Sequence, residues 1–272
     1  MTDQNLMRQP PSRQSIPVVI MCGGMGTRMR EETEYRPKPM VEVGGMPILW
    51  HIMKVYSAQG YNNFILCLGY RAHQIKEYFL DLHHISRDFQ LDLTTNDATM
   101  LSAHNDDFKI TFAWTGLETL TGERLLHAAK YIDTDEFMLT YGDGVADINV
   151  EALRSFHDER RAQHGIAGTI TGIHPKSKYG LVTHDENGIV TKFTEKPRLP
   201  DRTNGGFIVL QKEFLTYCKP QQMVEEALIE ASNDGKIAMY PHDGFWHSMD
   251  TYKDKEDLEA LWRTDPKWKI WK

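Results

Sequence analysis

The glycine-rich run GGMGTR follows the apolar segment PVVIM near the start of the chain. Glycine accepts positive φ and lets main-chain N–H groups approach a ligand closely, so Gly23, Gly24 and Gly26 favour an anion-binding loop. Two cations, Arg28 and Lys38, follow the loop closely. Because free N–H groups beside cations bind phosphate, the stretch predicts a phosphate-binding loop, although a tight strand–helix turn without a ligand has the same pattern.

The surroundings of Lys38 strengthen this interpretation. Lys38 stands between Pro37 and Pro39, which restrict the backbone and reduce the entropy lost when the ammonium group is aimed at a ligand. Two other phosphate loops do not fit. A Walker A loop requires Gly-Lys-Ser/Thr at its end, and a dinucleotide fingerprint requires a third glycine where Met29 stands.

Two aspartates provide candidate metal ligands. Asp143 follows the apolar run EFMLTY and stands between two glycines, and Asp250 follows the aromatic run GFWHSM. Open α/β sheets bind ligands at the C-terminal ends of their parallel strands, where Asp143 is expected. Separately, one residue could belong to an Asp-Gly turn and the other could cap a helix. Together they suggest Mg²⁺, which takes few carboxylates and leaves room for phosphate oxygens.

Two later segments contain groups suited to a phosphorylated sugar. In FTEKP, the Glu195 carboxylate can accept hydrogen bonds from sugar hydroxyls and the Lys196 ammonium can meet a phosphate. In NGGFIVL, the glycines at 205 and 206 permit a ligand to approach the backbone closely.

Composition argues against several function classes. The chain has 272 residues, of which 25% are charged and 40% hydrophobic, with a formal net charge of −7. Such an acidic chain disfavours a broad nucleic-acid-binding surface. Three scattered cysteines disfavour a disulfide or zinc framework and fit a reducing cytoplasm. No apolar run is long enough for a membrane span, and residues 1–15 are expected to form a polar, mobile tail outside the fold.

Strand-like and helix-like segments alternate through the first two thirds of the chain, which predicts a parallel sheet with crossover helices. Farther on, YGLVTHDENGIVTKFTEKP reads as a β-hairpin that turns at Asn187–Gly188. The pattern therefore predicts an α/β fold, a doubly wound sheet with a β-rich insertion on the substrate side.

The ordered motifs GGMGTR, RPKPMVEVGGMPILWHIMK, LTYGDGVAD, FTEKP, NGGFIVL and GFWHSMDT resemble the sugar-1-phosphate nucleotidyltransferases, most of all their glucose-1-phosphate cytidylyltransferase branch. The resemblance implies one Rossmann-like domain with a mixed sheet over 16–272, with a nucleotide half at about 16–145 and a sugar-binding half at about 146–272. It implies Mg²⁺ as cofactor and CTP and a sugar 1-phosphate as substrates. We also expect a cytoplasmic homo-oligomer without nucleic-acid or membrane partners.

The resemblance further assigns roles to residues. It implies that the nucleotide is bound by Met21, Cys22, Gly23, Gly24, Gly26, Thr27, Arg28, Thr121, Arg124 and Gly142. It implies that the sugar phosphate is bound by Lys38, Glu195, Lys196, Asn204 and Gly205. The implied metal ligands are Asp143 and Asp250, and the implied catalytic residues are Arg28, Lys38 and Asp143.

Reading cytosine requires an acceptor for its amino group and a donor for its ring nitrogen or carbonyl. Main-chain groups of the Met21–Gly24 turn can supply acceptors, and Arg124, expected in the loop TGER, can supply the donor. Three alternatives stay open at this point: another phosphorylated acceptor, UTP or dTTP in place of CTP, and a non-catalytic regulatory protein that binds a nucleotide sugar.

Overall fold

The computed structural model describes residues 13–102 and 106–271. This part of the chain contains fifteen strands: β1 (Pro17–Met21), β2 (Glu42–Val43), β3 (Met46–Pro47), β4 (Asn63–Leu68), β5 (Phe89–Asp92), β6 (Asp97–Met100), β7 (Lys109–Trp114), β8 (Glu136–Tyr141), β9 (Gly144–Ala146), β10 (Gly168–Ile173), β11 (Leu181–His184), β12 (Val190–Thr194), β13 (Thr203–Gln211), β14 (Ile237–His242) and β15 (Trp246–Ser248). It also contains seven α-helices: α1 (Arg30–Thr33), α2 (Ile48–Ser57), α3 (Ala72–Ile85), α4 (Thr121–Ala128), α5 (Val150–His164), α6 (Val224–Asn233) and α7 (Tyr252–Thr264). Among these described residues, no helix is both long and apolar enough to cross a bilayer.

Seven strands form the central sheet, in the order β14-β10-β13-β8-β1-β4-β7. Strand β1 pairs in parallel with β4 and β8, whereas β13 runs antiparallel to both β8 and β10. Every residue of β1 is buried, because helices cover both faces of a doubly wound sheet and its central strands are therefore continuously apolar. The predicted Rossmann-like mixed sheet is confirmed.

The hydrophobic core lies in two layers, one on each side of this sheet. One layer packs residues of α2, α3, α5 and α7 against the sheet, including Ile52, Ile75 and Leu258. The other packs α4 and α6, including Leu125 and Ala227. Because side chains alternate between the faces of a strand, successive residues of β1 enter opposite layers.

The predicted hairpin is present as β11 and β12, with Gly188 at φ +80° in its turn. Three other strand pairs were not predicted: β2 with β3, β5 with β6, and β9 with β15. Their strands are two to four residues long, too short for an alternating pattern to stand out.

The described structure includes the last three residues of the predicted amino-terminal tail. Residues 1–12 of the predicted tail lie outside the described part. The remainder, Arg13–Ser15, forms a 3₁₀-helix, and Arg13 Nε lies 3.1 Å from Glu151 Oε2 on α5. Residue 15, the predicted end of the tail, is thus the last residue of this 3₁₀-helix, which an ion pair joins to α5.

Candidate functional site

A cleft of about 400 Å³ lies where β1 and β8 end, at the C-terminal edge of the parallel strands. It is lined by Lys38, predicted for catalysis and the sugar phosphate, and by most of the residues that the sequence assigned to the nucleotide and the metal: Met21, Cys22, Gly23, Gly24, Gly26, Thr27, Thr121, Arg124, Gly142, Asp143 and Asp250. Arg28 lies in the 3₁₀-helix Thr27–Met29, and its side chain is outside the part that the structure describes.

Gly23 and Gly26 restrict which residues the loop after β1 can contain. A Cβ atom on Gly23 would lie 2.3 Å from Arg124 Nη1, so a side chain there would displace the guanidinium group. Gly26 has φ +62°, in the left-handed region that disfavours residues with a Cβ atom. The loop is thus kept close to the wall of the cleft, as a site for an anion requires.

Lys38 is held between the two predicted metal ligands. Its Nζ donates to Asp143 Oδ2 at 2.6 Å and to Asp250 Oδ1 at 2.9 Å. Burial disfavours the ammonium group, but the two carboxylates more than offset this, so the pKa of Lys38 is raised. The lysine therefore carries a full positive charge inside the cleft.

Three local structures place these charges. Pro37 precedes the 3₁₀-helix Lys38–Met40, which begins at the lysine itself. Asp143 stands in the turn between β8 and β9, and Asp250 stands between β15 and α7. The two turns are joined because β9 pairs with β15 and Met249 N donates to Asp143 O at 2.8 Å. Thr251 caps α7, so Asp250 is not the cap and its carboxylate faces the cleft.

The two carboxylates fit a divalent cation. They already share one positive charge, the Lys38 ammonium, and Ser248 Oγ donates to the second oxygen of Asp250 at 3.0 Å. Within the described residues, no cluster of three or more His, Cys, Asp or Glu side chains could enclose a metal. A pair of carboxylates is what Mg²⁺ uses when substrate phosphates and water complete its coordination.

Arg124 has surroundings different from those expected. It lies on helix α4 rather than in a loop and is 3% exposed. Burial lowers its pKa. Its terminal nitrogens donate at 2.7–3.2 Å to oxygen atoms of Leu68, Thr115, Gly116, Gly23 and Leu117. The guanidinium group thereby ties the glycine loop to the segments after β4 and β7.

Apart from Lys38, the predicted sugar-phosphate residues lie outside the lining of the cleft. Glu195 and Lys196 follow β12, and their side chains are 63% and 62% exposed. Asn204 and Gly205 begin β13, where Asn204 Oδ1 accepts from Gly206 N and Gly205 O accepts from Trp246 Nε1. The structure therefore brings the nucleotide and metal residues together but does not bring Glu195 and Lys196 to the same wall.

Sequence reasoning missed three polar residues of the cleft, Thr119, Tyr141 and Glu225, of which the last two contact each other. The Tyr141 hydroxyl donates to Glu225 Oε1 at 2.6 Å. Tyr141 stands immediately before the Gly-Asp turn, a position that could have drawn attention. Glu225 lies in the first turn of α6, where acidic residues are common, so its sequence position carried no signal.

Comparison with known proteins gives a consistent result. The sequence matches the nucleotidyl transferase family over residues 17–254. It is 43% identical over 257 residues to a Bacillus subtilis (strain 168) protein named "Probable glucose-1-phosphate cytidylyltransferase", with 93% of this chain and 99% of the relative covered. It is 39% identical over 258 residues to glucose-1-phosphate cytidylyltransferase of Salmonella typhi, with coverages of 93% and 98%. The fold is shared with HddC from Yersinia pseudotuberculosis, at a TM-score of 0.62, 21% identity and coverages of 91% and 99%.

Proposed function

This chain belongs to the nucleotidyl transferase family, and on that premise we propose that it transfers the cytidylyl group of CTP to glucose 1-phosphate. The products are CDP-glucose and pyrophosphate. Two relatives whose names give this activity match almost the whole chain at 39% and 43% identity, which supports this choice of nucleotide and acceptor.

The observation that carries the proposal is the meeting of Lys38, Asp143 and Asp250 in a cleft walled by the glycine loop. A phosphate oxygen of the sugar phosphate attacks the α-phosphorus of CTP, and the bond from that phosphorus to pyrophosphate breaks. The attacking oxygen is already anionic, so the step needs no general base. Catalysis then depends on positioning the two substrates and on stabilising the negative charge that develops.

Each group in the cleft has a part in this chemistry. The main-chain N–H groups of the glycine loop bind phosphate oxygens, and Lys38 stabilises charge at the α-phosphate. Mg²⁺, held by Asp143 and Asp250, would supply charge neutralisation at the phosphates. We propose that the cytosine base lies beside Arg124. The guanidinium group of Arg124 donates to the carbonyl oxygens of Gly116 and Gly23 and so holds these loops in position.

We propose that the sugar phosphate binds next to the cleft, toward the start of β13 and the end of the β11–β12 hairpin. Asn204 and Gly205 lie on β13, next to β8 and its Asp143 turn. Glu195 and Lys196 follow the hairpin, and we propose that their exposed side chains turn toward the bound sugar phosphate.

A non-catalytic regulatory protein that binds a nucleotide sugar is a weaker candidate. Binding alone has no need for two carboxylates and a lysine that converge on one point, because that arrangement serves a cation and a reacting phosphate. Within the catalytic class, the alternatives are UTP or dTTP as donor and another phosphorylated acceptor.

The test is pyrophosphate release, measured for CTP, UTP, dTTP and ATP with a panel of sugar 1-phosphates. The highest kcat/KM is expected for CTP with glucose 1-phosphate. A site that hydrogen-bonds its substrate leaves groups unpaired with the wrong one, so the preference should reach orders of magnitude. Equal values for CTP and UTP would contradict the choice of base, and no release with any pair would contradict the transferase.

A further inference from the structure

Besides Lys38 and its two aspartates, the cleft contains another charged residue, Glu225. Glu225, at the start of α6, receives the Tyr141 hydroxyl on Oε1 at 2.6 Å. The Thr121 hydroxyl lies 3.4 Å from Oε2, a long contact, and Thr121 Oγ1 also accepts from Val224 N at 2.8 Å. One oxygen of Glu225 is thus well satisfied, and the other can accept from a ligand.

The charge of Glu225 restricts what that ligand group can be. Among the described residues, no Lys, Arg or His nitrogen lies within 4.0 Å of the Glu225 carboxylate, so none of them forms an ion pair with it. A carboxylate without such a partner repels phosphate, and the substrates proposed for this cleft are polyanions. The neutral groups that a carboxylate binds well are hydroxyl donors. Glu225 therefore fits a hydroxylated part of a substrate and disfavours a phosphate at the same place.

Tyr141 fixes the direction of this acceptor. Its phenol O–H is the donor in the 2.6 Å hydrogen bond to Glu225 Oε1. Its ring packs against Gly206, where a Cβ atom would lie 2.7 Å from Tyr141 Cδ2. Asn204 Oδ1 accepts from the N–H of the same Gly206 at 2.9 Å. The tyrosine thus links the β13 side of the cleft to the start of α6.

We propose that Glu225 is a specificity-determining residue that accepts a hydrogen bond from a ring hydroxyl of a substrate, and that Tyr141 is its positioning residue. This inference rests on the proposed function, which brings two hydroxylated rings to the cleft: the ribose of the nucleotide and the pyranose of the sugar phosphate. Both offer the same chemistry, a hydroxyl donor on a saturated ring.

The experiment compares Glu225→Gln with wild type on matched substrates. One arm uses CTP, 2′-deoxy-CTP and 3′-deoxy-CTP with glucose 1-phosphate. The other uses glucose 1-phosphate and its 2-, 3-, 4- and 6-deoxy analogues with CTP. The control is Glu226→Gln, an exposed glutamate on the same turn of α6 that does not line the cleft. It removes the same charge from the same helix end.

For the analogue that lacks the recognised hydroxyl, wild type should lose about 10- to 100-fold in kcat/KM, as expected for a hydrogen bond to a charged acceptor. With the complete substrate, the kcat/KM of Glu225→Gln should be lower than that of wild type by a similar factor. With that analogue, the kcat/KM of Glu225→Gln should fall little further. Glu226→Gln should behave as wild type. If Glu225→Gln no longer discriminates against a deoxy-CTP, the recognised hydroxyl is on the ribose. If it no longer discriminates against a deoxy sugar phosphate, the hydroxyl is on the pyranose.

Tyr141→Phe should weaken discrimination against the same analogue, by a smaller factor, because it leaves the carboxylate in place but unaligned. If Glu225→Gln lowers kcat/KM equally for every substrate, or matches Glu226→Gln, the inference is wrong. Failure of the proposed function is separate, since wild type would then show no pyrophosphate release with CTP and glucose 1-phosphate. In that event, calorimetric binding of CTP and its two deoxy analogues to wild type and Glu225→Gln decides the ribose arm. The same measurement with glucose 1-phosphate and its deoxy analogues decides the pyranose arm, and equal analogue penalties for both proteins in both arms would overturn the inference.

Discussion

Replacing Lys38 by methionine removes the ammonium group that Asp143 and Asp250 share and leaves two carboxylates facing each other. Breaking a buried ion pair costs about 3–5 kcal/mol, whereas an exposed pair contributes about 0–1 kcal/mol. The lysine side chain is 15% exposed and each aspartate side chain 30%, so this triad lies between the two limits. We therefore expect the free energy of unfolding to fall by about 2 kcal/mol in EDTA.

The pH dependence of this stabilisation has a definite sign. Because the pKa of Lys38 is raised in the folded protein, its contribution is fully present below the ordinary lysine value of 10.5 and is lost as pH rises through the folded-state pKa. Measurements at neutral pH thus report the whole effect. For a chain of this size, about 2 kcal/mol corresponds to a fall in Tm of about 4–8 °C.

The assay is urea unfolding of the nucleotide-free protein, with EDTA and then with Mg²⁺. Wild type should gain little from Mg²⁺, because the ammonium group competes for the same two carboxylates. Lys38→Met should gain more, because a ligand that binds only the folded state stabilises it. The control is Lys54→Met, which breaks the pair with Asp106, at 2.7 Å and 12% and 11% exposed, outside the cleft lining.

Lys54→Met should be destabilised without any added response to Mg²⁺. If Lys38→Met is as stable as wild type in EDTA, the triad does not stabilise the fold as argued. If Mg²⁺ stabilises Lys38→Met and Lys54→Met equally, the two aspartates do not bind the cation that the lysine replaces.

Three further outcomes are expected. Asp143→Asn and Asp250→Asn should each abolish Mg²⁺-dependent pyrophosphate release while circular dichroism stays unchanged, and near-normal turnover at limiting Mg²⁺ would exclude that aspartate as a ligand. Arg124→Ala leaves several buried carbonyls unpaired, so the free energy of unfolding should fall by about 2–4 kcal/mol. KM should rise more for CTP than for the sugar phosphate, and denaturant unfolding and steady-state kinetics measure the two effects. Burial lowers the pKa of His51 to about 4, so stability should fall as pH drops from 6.5 toward 4, by at most about 3 kcal/mol. Trp268, whose indole N–H donates to His51, reports this by fluorescence, and the same pH dependence in His51→Gln would contradict the assignment.

The sequence alone determined the features that depend on neighbouring residues. The alternation of apolar strands and amphipathic helices predicted the doubly wound sheet, because the period of the pattern distinguishes a strand from a helix. Turn chemistry at Asn187–Gly188 predicted the β11–β12 hairpin. The glycines after β1, the prolines around Lys38 and the two aspartates identified part of the cleft lining, since each is unusual within its own short segment. The family resemblance added residues that no local pattern marks, such as Thr121 and Arg124.

Tertiary structure decided which of these residues meet and what each one contacts. Lys38 lies 105 residues from Asp143 and 212 from Asp250, and they converge through the pairing of β9 with β15, three-residue strands that are too short to recognise in sequence. Burial decided that Arg124 holds loop carbonyls, and the docking of α6 beside β8 brought Glu225 to Tyr141. A hydrogen bond depends on distances between segments remote in the chain, and local sequence patterns do not specify those distances.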